Sequence, residues 1–380
     1  MNNILYAGVN DHDIKLFEGQ YPVDNGISYN SYVIMDDKIA VMDSVDKNFS
    51  HKWLYHVERI VNGKNPDYLI ISHMEPDHSG SIVEFVKKYP NTTLVSTDKA
   101  FKFLTQFYGD VKNNKLIVKD GDSLSLGKHN LKFITAPMVH WPEVMFTYDE
   151  CEKVLFSADA FGKFGTLDYD DPEGWACEAR RYYFGIVGKY GNQVQVALKK
   201  LAGLKIETIC PLHGPVLDSN LEYYLGLYDT WSKYEAESQG VFIPTSSVYG
   251  NTMEASELLA EKLKAKGIKA VVCDLNTDSM TEAFEDAFRY DRIVFASITY
   301  NGTIFPSMNT FIEGLVERGY QNKKVGIIEN GTWAPMASKT IIEKLSKLKN
   351  IEIVEPIVKL TSKLDDVSKA QVEELANKLA

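Results

Sequence analysis

The pattern of apolar and polar positions changes once along the chain, near residue 240. Before that point, short apolar runs alternate with turn residues, and runs 28–35 and 38–43 flank Asp36-Asp37 as a hairpin would. The almost continuously apolar runs 67–72 and 154–158 predict strands buried on both faces, and helices are predicted over 52–61 and 220–239. This part predicts a β-rich fold with interspersed helices.

After residue 240, short apolar runs alternate regularly with helical patterns. Strands are predicted at five places, and each precedes a helix: 241–244, 270–274, 292–296, 324–328 and 351–354. Five such units within about 140 residues predict a doubly wound parallel sheet. We therefore expect two domains, 1–240 and 241–380.

Composition narrows the class of protein. The 380 residues carry a formal net charge of −11, which argues against nucleic acid or an anionic membrane as the main partner. The four cysteines are scattered without a C-x-x-C pair, which excludes a Cys-ligated rubredoxin-type or iron–sulfur centre in this sequence. Neither a signal peptide nor an apolar membrane span is apparent, so we expect a cytoplasmic protein.

Seven potential metal ligands follow apolar runs in the first domain. Four lie within the six residues His73-Met74-Glu75-Pro76-Asp77-His78, and three more follow later runs. A lone histidine would more often be an ordinary loop or core residue, but the complete set predicts a two-metal site. The candidate ligands are His73, Glu75, Asp77, His78, His140, Asp159 and His213.

The ligand pattern resembles the metallo-β-lactamase superfamily, an αβ/βα sandwich whose zinc hydrolases carry His-x-His-x-Asp-His at this point. Glu75 stands here in place of the second histidine. The exchange adds a hard, negatively charged oxygen ligand and moves the site from zinc's preference towards iron.

Three loops of the second domain predict a flavin site. The run Thr245–Thr252 joins hydroxyl groups and Gly250 to a helix start, where free N–H groups favour a phosphate. It has neither a Walker lysine nor G-x-G-x-x-G, which disfavours a dinucleotide. The loops 297–302 and 329–334 also follow predicted strands and can flank a planar ring, so FMN is the predicted ligand.

Together the two halves resemble the flavodiiron proteins (A-type flavoproteins) over nearly the whole chain. The resemblance implies one iron on His73, Glu75 and His140, a second on Asp77, His78 and His213, and Asp159 bridging them. It implies a flavodoxin-like second domain that holds FMN through a set of loop residues. That set is Ser247, Tyr249, Gly250, Asn251, Thr252, Thr299, Tyr300, Asn301, Gly302 and Trp333.

The resemblance further implies an oxidoreductase that reduces O2 to water, NO to N2O, or both. Electrons would come from a rubredoxin or a rubredoxin reductase system, and the protein would be a head-to-tail homodimer or a dimer of such dimers. Two other classes fit part of the sequence: a zinc hydrolase, which leaves the flavin loops unexplained, and a flavodoxin-like electron carrier with a metal-free sandwich, which leaves the seven ligands unexplained.

Overall fold

The computed structural model describes residues 3–380. The chain divides into two compact units, and the boundary between them in the sequence falls between Asp229 and Thr230. We describe each unit separately. The first unit contains fifteen short strands in its described part: β1 (Ile4–Tyr6), β2 (Val9–Asp11), β3 (Leu16–Phe17), β4 (Tyr21–Pro22), β5 (Ile27–Tyr29), β6 (Tyr32–Ile34), β7 (Ala40–Met42), β8 (Tyr68–Ile70), β9 (Thr93–Ser96), β10 (Lys115–Ile117), β11 (Ser123–Ser125), β12 (Asn130–Thr135), β13 (Met145–Asp149), β14 (Val154–Phe156) and β15 (Thr208–Cys210).

The helices of this unit lie between the strands or follow them. They are α1 (Ser50–Val61), α2 (Pro76–Ser79), α3 (Ile82–Lys88), α4 (Asp98–Tyr108), α5 (Trp175–Tyr182), α6 (Gly191–Leu201) and α7 (Leu221–Ser232), with 3₁₀ turns at Lys47–Phe49 and Gly188–Tyr190 and a π-helical turn at Tyr183–Val187. The division between the two units falls inside α7.

Two sheets pack face to face in the first unit. One sheet has the order β1-β6-β7-β8-β9-β10 and the other β11-β12-β13-β14-β15. One core cluster contains buried side chains from both sheets, among them Met42 and Ile70 from the first and Phe133 and Phe156 from the second. The unit is therefore a sandwich. The predicted hairpin is present, because β6 and β7 pair antiparallel with Ile34 opposite Ala40.

The second unit is built on one mostly parallel sheet. Its elements are β16 (Ser238–Ser246), α8 (Asn251–Ala265), β17 (Ala270–Asp274), α9 (Met280–Arg289), β18 (Tyr290–Tyr300), β19 (Thr303–Ile304), α10 (Pro306–Glu317), β20 (Lys323–Asn330), α11 (Ala337–Leu345), β21 (Ile351–Ile353), β22 (Val358–Leu360) and α12 (Asp366–Leu379).

The five predicted strands form the parallel order β17-β16-β18-β20-β21. This is the 2-1-3-4-5 order of doubly wound flavodoxin-like folds. Helices α8 and α12 share a core cluster on the sheet, and Phe311 of α10 stacks on Phe284 of α9 with ring centroids 5.5 Å apart.

The structure differs from the sequence-based prediction in two details of this unit. The short strand β19 pairs antiparallel with β18, and β22 pairs parallel with β20 beyond the end of β21, so the sheet has seven strands rather than five. The helix predicted to reach residue 239 ends at Ser232, because Tyr234 adopts a positive φ of 58° and strand β16 already begins at Ser238. Among the described residues, none of the helices combines the length and apolar composition that a bilayer crossing requires.

Candidate functional site

The seven candidate ligands lie in loops at strand ends of the two sheets of the first unit. His73 follows β8, and Glu75 stands immediately before the short helix α2, which carries Asp77 and His78. His140 lies in the turn between β12 and β13, whereas Asp159 follows β14 and His213 follows β15. The structure brings all seven side chains together at one edge of the sandwich, in two groups.

The first group joins two imidazoles and two carboxylates. Oε2 of Glu75 lies 3.2 Å from Nε2 of His73 and 3.1 Å from Nε2 of His140. Oδ2 of Asp159 lies 3.4 Å and 3.1 Å from the same two nitrogens. These separations match the edge of a coordination polyhedron with metal–ligand distances of about 2.0–2.2 Å.

The second group contains Asp77, His78 and His213. Oδ2 of Asp77 lies 3.2 Å from Nε2 of His78 and 3.3 Å from Nε2 of His213, and those two nitrogens are 3.0 Å apart. The other oxygen of Asp159, Oδ1, faces this group at 3.2 Å from His78 Nε2 and 3.9 Å from His213 Nε2. One carboxylate thus presents one oxygen to each group, as a bridging ligand does.

The donor set fits a pair of cations. Both carboxylate oxygens of Asp77 are buried and have no hydrogen-bond partner within residues 3–380. A buried carboxylate without hydrogen bonds is costly, and a bound cation would compensate for that cost. Four imidazoles and three carboxylates provide the mixed nitrogen and oxygen ligands that suit iron.

The electrostatics of the site follow from burial and from these contacts. Burial would raise the pKa of Asp159, but the imidazoles of His73 and His78 hold it well below its usual value. Burial would lower the pKa of His140, but hydrogen bonds with Asp159 and Glu75 raise it to about 9. The carboxylate of Asp159 therefore remains anionic at neutral pH, as a metal ligand must be.

Three groups outside the predicted set hold the ligands in place. Oε1 of Glu143 accepts hydrogen bonds from Nδ1 of His73 at 2.8 Å and from the backbone N–H of Met74 at 3.0 Å. The backbone carbonyl of Ser28 lies 2.7 Å from Nδ1 of His213. Asp43 accepts the N–H of Ser72, and burial raises the pKa of its carboxyl to about 6. These residues were not predicted from the sequence, although Glu143 stands three positions after His140.

Aromatic rings enclose the ligands. Phe17 and Tyr182 lie against His213 with centroid separations of 5.3 Å and 5.5 Å, and Trp141 lies edge-on to His73 at 5.2 Å. The imidazoles of His73, His78 and His213 are fully buried. The site is therefore a largely dry chamber in which charges act strongly on one another.

A second candidate site is a cavity of about 650 Å³ in the second unit. It lies at the carboxyl ends of β16, β18 and β20, where doubly wound folds bind their ligands. Nine of the ten predicted flavin residues line it. Gly250 is not among the lining residues; it has a φ of 87° and precedes α8 directly, so it forms the turn of the phosphate loop. Ser362, which the sequence analysis missed, contributes to the lining after β22.

One end of this cavity lies at the start of α8, where the phosphate is predicted to bind. Gly250 provides no side-chain cap for this 15-residue helix, so the N–H groups of its first turn are open to an anion. Ser247 and Thr252 place hydroxyl groups along the same wall. Tyr249 and Trp333, which also line the cavity, are exposed aromatic side chains, 91% and 80% accessible. The cavity thus combines an anion site with surfaces for a planar ring.

Comparison with known proteins supports the fold of both units. Residues 27–214 match the model of the ODP family beta lactamase, and residues 242–350 match the model of a flavodoxin domain. A nitric oxide reductase of Moorella thermoacetica is 30% identical over 93% of this chain and 91% of its own length. The chain belongs to the flavodiiron protein family. The predicted family and its two fold types are confirmed.

Other relatives extend the comparison. The flavodiiron protein of Giardia intestinalis superimposes with a TM-score of 0.91 at 26% identity, covering 100% of this chain and 94% of the other. Diflavin flavoprotein A 1 of Synechocystis is 32% identical over 72% of this chain, which spans about half (49%) of that longer relative.

Proposed function

We propose that the protein is a flavodiiron oxidoreductase that reduces O2 to water, NO to N2O, or both. The proposal depends mainly on the position of Asp159. Its two carboxylate oxygens each face one ligand group, which supports a site for two metal ions. The flavin cavity in the same chain supports electron supply through FMN. We assign two iron ions and one FMN to each chain.

The chemistry demands several electrons at one place. Reduction of O2 to two waters takes four electrons and four protons, and reduction of two NO to N2O and water takes two of each. Bound iron and flavin would supply the electrons. The ligand residues hold the reacting site at one edge of the sandwich, with Asp159 shared by the two groups. The rings of Phe17, Trp141 and Tyr182 pack against the ligand imidazoles and help to exclude water from them.

The donor assignment rests on the cysteines and on the family. Within residues 3–380, no disulfide joins Cys151, Cys177, Cys210 and Cys273, and neither ligand group found there includes a cysteine. We infer that a separate rubredoxin-type protein, alone or with its reductase, delivers the electrons to FMN.

We also propose a head-to-tail homodimer, in which the FMN of one subunit faces the iron pair of its partner. The exposed side chains of Tyr249 and Trp333 support it, because large exposed aromatic side chains are typical of interfaces. Dilution of the protein below its dimer dissociation constant should then abolish turnover. A monomer that keeps full activity would contradict the arrangement.

Two measurements test the assignment. Metal and flavin analysis should find about two iron ions and one FMN per chain. Zinc without flavin would favour the hydrolase alternative. FMN without iron would favour the simple electron carrier. Turnover with reduced rubredoxin should then be followed with O2 and with NO side by side. Failure to consume either gas by protein loaded with iron and FMN would refute the proposed reaction.

A further inference from the structure

The segment that carries Trp333 is tied at both ends to the other two loops of the flavin cavity. We define the Trp333 loop as residues 331–336, between β20 and α11. Most of its residues line the cavity, and the side chain of Trp333 is 80% accessible. Whatever fixes the ends of this loop therefore also fixes where its aromatic ring can lie.

The first end is fixed by Asn330 and its neighbours. The buried Asn330 amide donates to Oγ1 of Thr252 at 3.3 Å and to the carbonyl of Ser362 at 2.9 Å, and its oxygen accepts the Ser362 N–H at 3.1 Å. The N–H of Gly331 donates to the carbonyl of Leu360 at 3.1 Å. This end is thus connected to the phosphate loop and to the segment after β22.

The second end is fixed by Thr299, at the end of β18. Oγ1 of Thr299 accepts the backbone N–H of Met336 at 2.9 Å and that of Ala337 at 3.3 Å. These N–H groups lie at the start of α11, where a helix has no internal acceptors and its own first residues provide no side-chain cap. Thr299 therefore caps α11 from a different loop.

We propose that Thr299 is a positioning residue whose hydroxyl group holds the Trp333 loop over the flavin ring. The resemblance placed Thr299 among residues that touch the flavin, but its oxygen already accepts two backbone N–H groups. With both ends fixed, the loop shields the ring from water and disfavours the negatively charged, fully reduced flavin. This inference rests on the proposed binding of FMN in the cavity.

The test compares Thr299→Val, which keeps the shape and removes the hydroxyl group, with Thr299→Ser, which keeps the hydroxyl group. The control is Thr340→Val, because Oγ1 of Thr340 donates to the carbonyl of Met336 from within α11 and does not line the cavity. We would measure the dissociation constant of FMN by fluorescence titration and the midpoint potentials by spectroelectrochemistry, with iron content as an independent check.

Thr299→Val should weaken FMN binding about five- to tenfold, the effect typical of a lost helix cap. It should also raise the midpoint potential of the second flavin reduction and leave the iron content unchanged. The FMN affinity and midpoint potentials of Thr299→Ser and Thr340→Val should stay close to those of the wild type. Unchanged affinity and potential in Thr299→Val would overturn the inference. So would a serine variant as impaired as the valine variant, because retaining the hydroxyl group would then not preserve FMN binding.

If Thr299→Val does not fold, Thr299→Cys replaces it, because a thiol is a weak acceptor of similar size, and the same outcomes apply. Wild-type protein that fails to bind FMN at all would instead refute the proposed function. The two failures are therefore distinguishable.

Discussion

Replacing Glu143 should weaken iron binding at the first ligand group without touching a ligand. Glu143 accepts from Nδ1 of His73 at 2.8 Å, and both side chains are fully buried. This contact keeps the proton on Nδ1, so that the lone pair of Nε2 would face a cation bound beside Glu75 and Asp159. Without it, the imidazole can turn or change tautomer, and its Nε2 is no longer fixed as a ligand.

The size of the effect depends on the replacement. Glutamine can still accept from His73 and Met74 but loses the charge, which reduces a charge-assisted hydrogen bond by about 1 kcal/mol. That corresponds to roughly a five- to tenfold weaker affinity for iron. Glu143→Leu leaves the two buried N–H donors without an acceptor. We therefore expect an affinity for iron about 100-fold weaker, the upper end of the range for groups that support a metal ligand.

The assay is anaerobic titration of metal-free protein with Fe(II) against a chromophoric chelator. FMN content and circular dichroism establish that each variant is folded. The matched control is Glu150→Gln, whose carboxylate pairs with Asn130 at the surface, away from the ligands. Iron affinity that is the same in wild type, Glu143→Gln and Glu143→Leu would refute the view that Glu143 orients His73.

Three further predictions follow from the structure. Asp159→Asn should lower the iron content well below two per chain at unchanged FMN content, because an amide lacks the second anionic oxygen that faces the other group; two retained iron ions would contradict a bridging role. Removal of iron by chelation should lower the melting temperature of the sandwich unit while the flavodoxin-like unit melts as before, because a ligand at 100 times its dissociation constant adds about 2.7 kcal/mol to the free energy of unfolding; an unchanged first transition would argue against bound metal. Burial lowers the pKa of Lys323 from 10.5 to about 7, so the unfolded chain binds more protons between these values and wild-type stability should rise relative to Lys323→Met from pH 7 to 10.5, by up to about 5 kcal/mol. A pH-independent difference between those two proteins in denaturant unfolding would show that Lys323 titrates normally.

The sequence contained enough information for the parallel sheet, because each strand and helix there is marked by its own local pattern. Strand β17 was predicted at the residues where it lies, 270–274, and the other four parallel strands within a few residues. The candidate ligands could also be predicted, since only a few types of side chain bind metals and seven residues of these types follow apolar runs. The added strands β19 and β22 were not, because each has only two or three residues, and β22 also forms through pairing with a distant strand, β20.

The supporting residues depend on contacts that no local pattern encodes. Glu143 reaches His73 across 70 positions, and this pairing exists only because the loops after β8 and β12 meet where the two sheets pack. The backbone bond from Met145 to Ser72, 3.0 Å long, fixes that meeting point. Thr299 depends in the same way on the register of β18 against β20, which brings its hydroxyl group to the start of α11. A ligand can thus be recognised by its chemistry, whereas a residue that positions a ligand can be recognised only once the register is known.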